Sequence, residues 1–164
     1  MGPSRLTKTF TGVAYQLTND DPLATSQCKL DAALMKTLGA NSIRVYHVDP
    51  SANHDDCMSA LDDAGIYVWL DLDTFSSYIE GPGIATPRWN ETQYEQYQAV
   101  MDAFHNYDNL AGFFVGNEVL TTAETSVAAP YVKAAARDMK AYRDAKGYRQ
   151  IPVGYTAAVS AERP

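Results

Sequence analysis

Apolar residues recur along this chain with two periods that alternate. Short runs rich in β-branched and aromatic residues are followed by stretches in which apolar residues recur every three or four positions. This order predicts βα units built around a parallel sheet, an α/β fold. The predicted strands are Gly12–Gln16, Ser42–Tyr46, Ile66–Asp71, Gly112–Gly116 and Ile151–Tyr155.

Four helices are predicted between these strands. Gly39, Gly65 and Gly147 stand where three of them should stop, and Pro130 suits the first turn of the fourth. The apolar positions at helical spacing are Leu30, Ala33, Leu34 and Leu38 in the first helix, Cys57, Met58, Leu61 and Ala64 in the second, Tyr94, Tyr97, Met101 and Phe104 in the third, and Val132, Ala135, Met139 and Tyr142 in the fourth.

Four βα units and a fifth strand match no common closed barrel, since a (β/α)8 barrel typically has about 250 residues. We therefore expect a truncated barrel or an open sheet that occupies all 164 residues as one domain, without a linker. A doubly wound sheet is the structural alternative. It lacks support because no Gly-x-Gly-x-x-Gly or Walker sequence follows any predicted strand.

Composition and charge narrow the class of ligand. The formal charge of −7 comes from 20 acidic and 13 basic residues without a basic cluster, which argues against nucleic acid and anionic membranes as partners. With 11 Tyr, 5 Phe and 2 Trp, the chain has aromatic faces that can stack on sugars. No run approaches the roughly 18 apolar residues of a membrane span, and the first five residues lack the apolar core of a signal peptide.

Cysteine usage and a sequon bear on the compartment. Cys28 and Cys57 fall on neighbouring predicted helices, where a disulfide and two buried thiols are both open interpretations. Asn90-Glu91-Thr92 is an N-glycosylation sequon, which favours secretion. The His residues are only His47, His54 and His105, and the Asp residues beside His54 suit the start of a helix, so no metal or cofactor is expected.

Polar residues collect at the carboxyl ends of the predicted strands, where parallel barrels carry their chemistry. They are Gln16, Tyr46, His47, Asp71, Asp73, Asn117, Glu118 and Tyr155. Glu118 follows a strongly apolar strand, and burial there would raise its pKa toward the value that suits a general acid. Asp21, Asp49 and Thr121 are better explained as caps and turns.

Six segments of the sequence resemble the fungal β-1,3-glucanosyltransferases of glycoside hydrolase family seventy-two. These segments are Asp21–Ala24, Leu38–Tyr46, Ala64–Val68, Gly112–Val119, Ala129–Ala134 and Tyr148–Tyr155. The resemblance runs from about Gly12 to the C-terminus and covers about the first half of the family's catalytic (β/α)8 barrel. It implies a retaining transglycosylase that cuts a β-1,3-glucan and joins the new end to another glucan, at the plasma membrane through a lipid anchor or in the cell wall.

The resemblance also implies roles for individual residues. Glu118 would be the acid/base, and Asn117 would hold the 2-hydroxyl of the sugar being cleaved. Gln16, Tyr46 and Asp71 match donor-subsite positions, Tyr155 is a further candidate at the substrate rim, and Cys28 and Cys57 match a family disulfide.

The sequence departs from the family pattern in two places. Retaining enzymes need a second carboxylate about 5 to 5.5 Å from the first, and no candidate is found, because Glu162 follows the wrong strand. The segment between Gln16 and Asp21 is also shorter than the family's Gly-rich loop. We therefore expect the chain alone to be inactive, and its exposed strand faces to promote self-association or loose packing.

Two other functions compete with this one. The first is a catalytically dead β-glucan-binding or interaction protein that uses an aromatic rim of Tyr46, Trp89 and Tyr155. The second is a hydrolase of a related barrel family, which would release only shorter chains.

Overall fold

The computed structural model describes residues 9–16, 20–74, 76–80 and 86–159. In this part of the chain strands and helices alternate, as the apolar periods predict. The elements are β1 Gly12–Ala14, α1 Gln27–Thr37, β2 Ser42–Val45, α2 Asp55–Asp63, β3 Tyr67–Asp71, α3 Glu91–Phe104, β4 Leu110–Asn117, α4 Ala129–Ala145 and β5 Val153–Thr156. The predicted α/β class is therefore confirmed.

The five strands form one parallel sheet in the order β1-β2-β3-β4-β5. Each described strand lies beside the strand that precedes it in sequence, so the sheet has no reversal of strand order. That reversal is the binding crevice of a doubly wound fold, and its absence from the described sheet removes the structural alternative. Sequential parallel strands are instead the order found in (β/α) barrels.

The helices cover one face of the sheet. Ile43, Val68 and Phe113 point toward that helical layer and are at most 1% exposed. On the other face Trp69 and Phe114 are only partly buried and stack with ring centroids 5.7 Å apart. Alternate residues of a strand point to opposite faces, so the face without helices carries the partly exposed side chains.

The regularly spaced leucines at α1 do not form its buried side. Leu30, Leu34 and Leu38 are 67%, 59% and 71% exposed, whereas Cys28 and Met35 are buried. The helical spacing of these leucines therefore does not mark the buried side of the helix, because spacing identifies an apolar stripe without saying what it contacts. The predicted stops after α1 and α2 are confirmed, since Gly39 and Gly65 have φ of 77° and 76°, which glycine adopts readily.

A disulfide joins Cys28 of α1 to Cys57 of α2 and resolves the two open interpretations of these cysteines. Their Cα atoms are 5.7 Å apart, and both residues are buried. Closing a loop of this sequence separation contributes about 3 to 4 kcal/mol on the chain-entropy model. The bridge also fixes which side of α1 faces α2.

Asn90 begins α3 as its N-cap. Its side chain accepts a hydrogen bond from the Gln93 N–H, and the Gln93 side chain accepts one from the Asn90 N–H, which completes a capping box. Asn90 itself is exposed. Glycosylation at this residue remains a prediction.

Candidate active site

Arg44 lies at the centre of the rim formed by the carboxyl ends of the strands. From β2 its Nε donates to Asp71 Oδ1 on β3 at 2.9 Å, and its Nη2 donates to Asn117 Oδ1 on β4 at 2.9 Å. The same Nη2 donates to Thr156 Oγ1 on β5 at 2.9 Å. One guanidinium therefore links four strands. Sequence reasoning missed Arg44 and Thr156 as site residues, although a charged residue within a β-branched strand was an available signal.

Asp71 is fully buried and forms an ion pair with Arg44 through both carboxyl oxygens. Burial raises the pKa of Asp71, and the Arg44 guanidinium opposes that rise. Bidentate pairing with Arg is strong and geometrically specific. Asp71 therefore holds the guanidinium in place for the other contacts.

Asn117 ends β4 with its side chain oriented by Arg44. Because its Oδ1 accepts from the guanidinium, its amide NH2 group points away from Arg44. Asn117 is exposed. The arrangement presents a hydrogen-bond donor at the rim.

Glu118 follows Asn117 in a left-handed backbone conformation, with φ of 49°. Its N–H donates to the Thr156 carbonyl at 3.0 Å, which ties the turn to β5. Non-glycine residues with positive φ are uncommon and often lie at functional sites. The expectation of a buried Glu118 is wrong, since this residue is exposed while Asp71 and Asp73 are the buried carboxyls of the rim.

Tyr155 supports the segment that follows Glu118. Its hydroxyl oxygen accepts a hydrogen bond from the Leu120 N–H at 2.9 Å. Its ring lies against Gly116, where an added Cβ would meet the ring at 3.7 Å. Tyr155 therefore contacts Gly116 and Leu120, which lie on either side of the acid/base candidate Glu118.

Tyr46 and Gln16 lie on the β1–β2 side of the rim. The Tyr46 ring lies 4.4 Å from the Arg44 guanidinium carbon, a cation–π contact. Gln16 accepts from the His47 N–H at 3.1 Å and donates to the Asp20 carbonyl at 3.0 Å. The short loop at residues 17–19 and the carboxylate of Glu162 lie outside the described residues.

The proposed caps and the proposed aromatic rim have different outcomes. Asp21 caps the 3-10 helix Pro22–Ala24 through the Leu23 N–H and also contacts His54, as expected of a structural residue.

Trp89 packs between helices instead of joining the rim, because its Nε1 donates to Asp138 of α4 and its ring contacts Tyr97 of α3. The prediction that Trp89 belongs with Tyr46 and Tyr155 is wrong.

The described residues contain neither a candidate metal cluster nor a candidate membrane-spanning helix. No group of three or more His, Cys, Asp and Glu side chains is arranged to hold a metal ion. No helix in the same part of the chain combines the length and apolar character needed to cross a membrane.

Comparison with known proteins decides the family. A glycoside hydrolase 72 family model, described as glucanosyltransferase, matches residues 6–163. The chain belongs to this glucanosyltransferase family. Among its relatives, 1,3-beta-glucanosyltransferase gas5 of Schizosaccharomyces pombe is 53% identical over 156 residues, which are 92% of this chain and 30% of that protein. The Aspergillus fumigatus 1,3-beta-glucanosyltransferase gel1 is 48% identical over 139 residues, 84% of this chain and 30% of gel1.

The solved structure of a similar protein has the same fold. Saccharomyces cerevisiae Gas2p, in complex with laminaritriose and laminaritetraose, is 41% identical and superposes with a TM-score of 0.87. The match covers 93% of this chain and 35% of the Gas2p chain. The chain thus spans about a third of the length of the family members it matches. The family expected from the sequence is confirmed.

Proposed function

We propose that this chain forms the acid/base part of a retaining β-1,3-glucan glucanosyltransferase. The observation that supports this most is the Asn117-Glu118 pair at the end of β4, with the Asn117 amide oriented by Arg44 and Glu118 exposed at the rim. The relatives named 1,3-beta-glucanosyltransferase and the Gas2p complex with laminari-oligosaccharides support the substrate class.

In the proposed reaction Glu118 carries a proton in the first step. It donates this proton to the glycosidic oxygen as the C1–O bond breaks, while a second carboxylate attacks C1 and forms a glycosyl-enzyme intermediate. Glu118, now a carboxylate, then takes the proton from an acceptor hydroxyl as that oxygen attacks C1 and releases the second carboxylate. The Asn117 NH2 group donates to the 2-hydroxyl of the reacting sugar.

The described strand ends do not offer a suitable second carboxylate. Asp71 is buried and paired with Arg44, and Asp73 is 5% exposed. A nucleophile must reach C1 with a free oxygen. We therefore place the second carboxylate on a further strand of an eight-stranded barrel whose first five strands are those described here, and we expect the 164-residue chain alone to bind glucan without transferring it.

A chimera tests the acid/base assignment. The segment 12–156 would replace the matching segment of S. pombe gas5, and elongation of laminaritetraose would be followed by mass spectrometry. General acid–base catalysis contributes about 10²- to 10⁴-fold, so Glu118→Gln should lower kcat of an active chimera by that factor, whereas Glu124→Gln, an exposed matched control, should not. Equal turnover by both variants would contradict the assignment.

A second candidate function is glucan binding without catalysis. It is favoured by the burial of Asp71 and Asp73, which leaves Glu118 without a described partner for a two-carboxylate reaction. The two functions differ in one observable: transfer produces chains longer than the laminaritetraose supplied, whereas binding alone and hydrolysis do not. Elongation by the gas5 chimera described above, lost in its Glu118→Gln variant, would exclude this candidate.

Location follows from the same family. We propose that the protein works at the outer face of the plasma membrane or in the cell wall, where its β-1,3-glucan substrate lies. The disulfide between Cys28 and Cys57 supports this location, because disulfides persist in oxidising compartments.

A further inference from the structure

A cavity of about 250 Å³ opens beside the ends of β2, β3 and β4. It is lined by Tyr46, His47, Asp73, Tyr78, Ile79 and Asn117. Tyr46 and Asn117 belong to the rim described above, whereas Asp73 and Tyr78 have no role in it so far. The cavity is smaller than the range of about 300 to 1,000 Å³ typical of pockets for drug-sized ligands. It is of a size for one sugar ring rather than an oligosaccharide.

Tyr78 presents an aromatic ring from a fixed backbone. It is 40% exposed, although a tyrosine ring is more stable when most of its surface is covered. Its carbonyl accepts a hydrogen bond from Gln93 Nε2 at 2.7 Å, and Gln93 is held by the capping box of α3. The segment that carries Tyr78 is therefore anchored while the ring remains available.

Asp73 lines the same cavity and carries a carboxyl oxygen that has no hydrogen-bond partner among the described residues. The residue is 5% exposed, and its Oδ1 has no hydrogen-bond partner within the described part of the chain. A buried polar atom left unpaired loses its hydrogen bonds to water without replacement, which destabilises the fold. A ligand hydroxyl in the cavity would remove that cost.

We propose that this cavity is a glucosyl subsite in which one sugar ring stacks on Tyr78 and one of its hydroxyls hydrogen-bonds to the Asp73 carboxyl. The inference rests on the proposed function, since it takes the ligand to be a β-1,3-glucan. It adds two specificity-determining residues that the strand-end network around Arg44 does not include.

The protonation of Asp73 suits this role. Burial, together with the negative charge of Asp71, raises the pKa of Asp73 to about 8. A raised pKa favours the neutral carboxyl, which can both donate and accept hydrogen bonds. Asn offers the same two functions in a side chain of similar shape, which gives the subsite a conservative variant.

Calorimetric titration of the chain with laminaritetraose tests the subsite. Removing the aromatic face in Tyr78→Ala should weaken binding about tenfold. Asp73→Ala should weaken it about 3- to 10-fold, whereas Asp73→Asn should stay within about twofold of the unaltered chain. Tyr131→Ala is the matched control, because Tyr131 is 37% exposed on α4 and does not line the cavity.

The outcomes separate the subsite from the wider function. If the unaltered chain binds laminaritetraose and Tyr78→Ala and Asp73→Ala bind it equally well, the subsite is overturned and the proposed function stands. If the unaltered chain does not bind it, both are overturned. Urea unfolding of each variant shows whether a weakened variant is folded, and Tyr78→Ala, at an exposed position, keeps the test valid if Asp73→Ala unfolds.

Discussion

Arg44 fixes the orientation of the Asn117 amide. The guanidinium Nη2 lies 2.9 Å from Asn117 Oδ1, so the amide oxygen is occupied and the NH2 group points away from Arg44. Because Asp71 holds the same guanidinium from below, the orientation depends on a buried ion pair. Arg44, which was not predicted as a site residue, thus orients Asn117, which was.

Removing one partner of the Arg44–Asp71 ion pair should strongly destabilise the fold. Arg44→Met would leave the Asp71 carboxylate buried without a counter-charge, and breaking a buried pair in this way costs about 3 to 5 kcal/mol. Urea unfolding measures the loss. The double variant Arg44→Met with Asp71→Asn should recover part of it, and a double variant less stable than Arg44→Met alone would contradict this account.

The left-handed backbone conformation of Glu118 should reduce the stability of the fold. Its φ of 49° is left-handed, and this conformation costs a non-glycine residue roughly 1 to 2 kcal/mol. Glu118→Gly should therefore be more stable than Glu118→Ala by about 1 kcal/mol, although both lose the carboxyl. Thermal unfolding compares the two, and an Ala variant as stable as the Gly variant would show that no strain is present.

Stability should depend on pH through Asp73. The pKa of Asp73 is raised from 3.8 to about 8, so between these values the folded chain holds a proton that the unfolded chain releases. The free energy of unfolding should therefore fall as pH rises from about 4 to about 8. Asp71, whose pKa is also raised, acts in the same direction.

Asp73→Asn isolates the contribution of this residue. Urea unfolding at pH 5 and pH 8 should show a smaller fall in stability for Asp73→Asn than for the unaltered chain. His47, whose pKa is lowered by burial, is present in both proteins, and Asp73→Asn keeps the backbone carbonyl that its Nδ1 contacts. Equal falls in both proteins would mean that Asp73 is ionised throughout this range.

Tyr155 should hold the segment after Glu118. Tyr155→Phe keeps the ring against Gly116 but removes the oxygen that accepts from the Leu120 N–H. Losing such a hydrogen bond costs about 0.5 to 1.5 kcal/mol. Hydrogen exchange at the Leu120 amide should become several-fold faster, while exchange at Leu72, which donates to Phe114, serves as the control. Unchanged exchange at Leu120 would contradict the role.

The exposed leucines of α1 should promote self-association of this chain. Leu30, Leu34 and Leu38 form an uncovered apolar stripe, and such patches mark contact or aggregation surfaces. Leu34→Lys with Leu38→Glu should reduce association in sedimentation experiments and change the free energy of unfolding by less than about 1 kcal/mol. Met35→Lys, on the buried side, should instead destabilise the fold. Association unaffected by the surface changes would place the contact elsewhere.

Local sequence determined much of this fold, because its signals act within a few residues. The alternation of apolar periods reflects the geometry of strands and helices themselves, and the glycines after α1 and α2 are required by a left-handed φ at each helix end. Asn117 and Glu118 were recognisable because they follow an apolar strand at the edge where parallel strands end. The cysteine pair was open on spacing alone, the family resemblance favoured a disulfide, and the structure shows that bridge.

Tertiary structure alone decided which side chains meet. The leucine stripe of α1 has the spacing of a core face, yet the bridge between Cys28 and Cys57 and the packing of Met35 turn it outward. Asp71 and Asp73 are buried, and Glu118 is exposed, because neighbouring strands and loops cover the first two residues but not the third. Arg44 acquires its partners from β3, β4 and β5, up to 112 residues away along the chain. Periodicity cannot encode such contacts, since burial and pairing depend on residues that are distant in sequence.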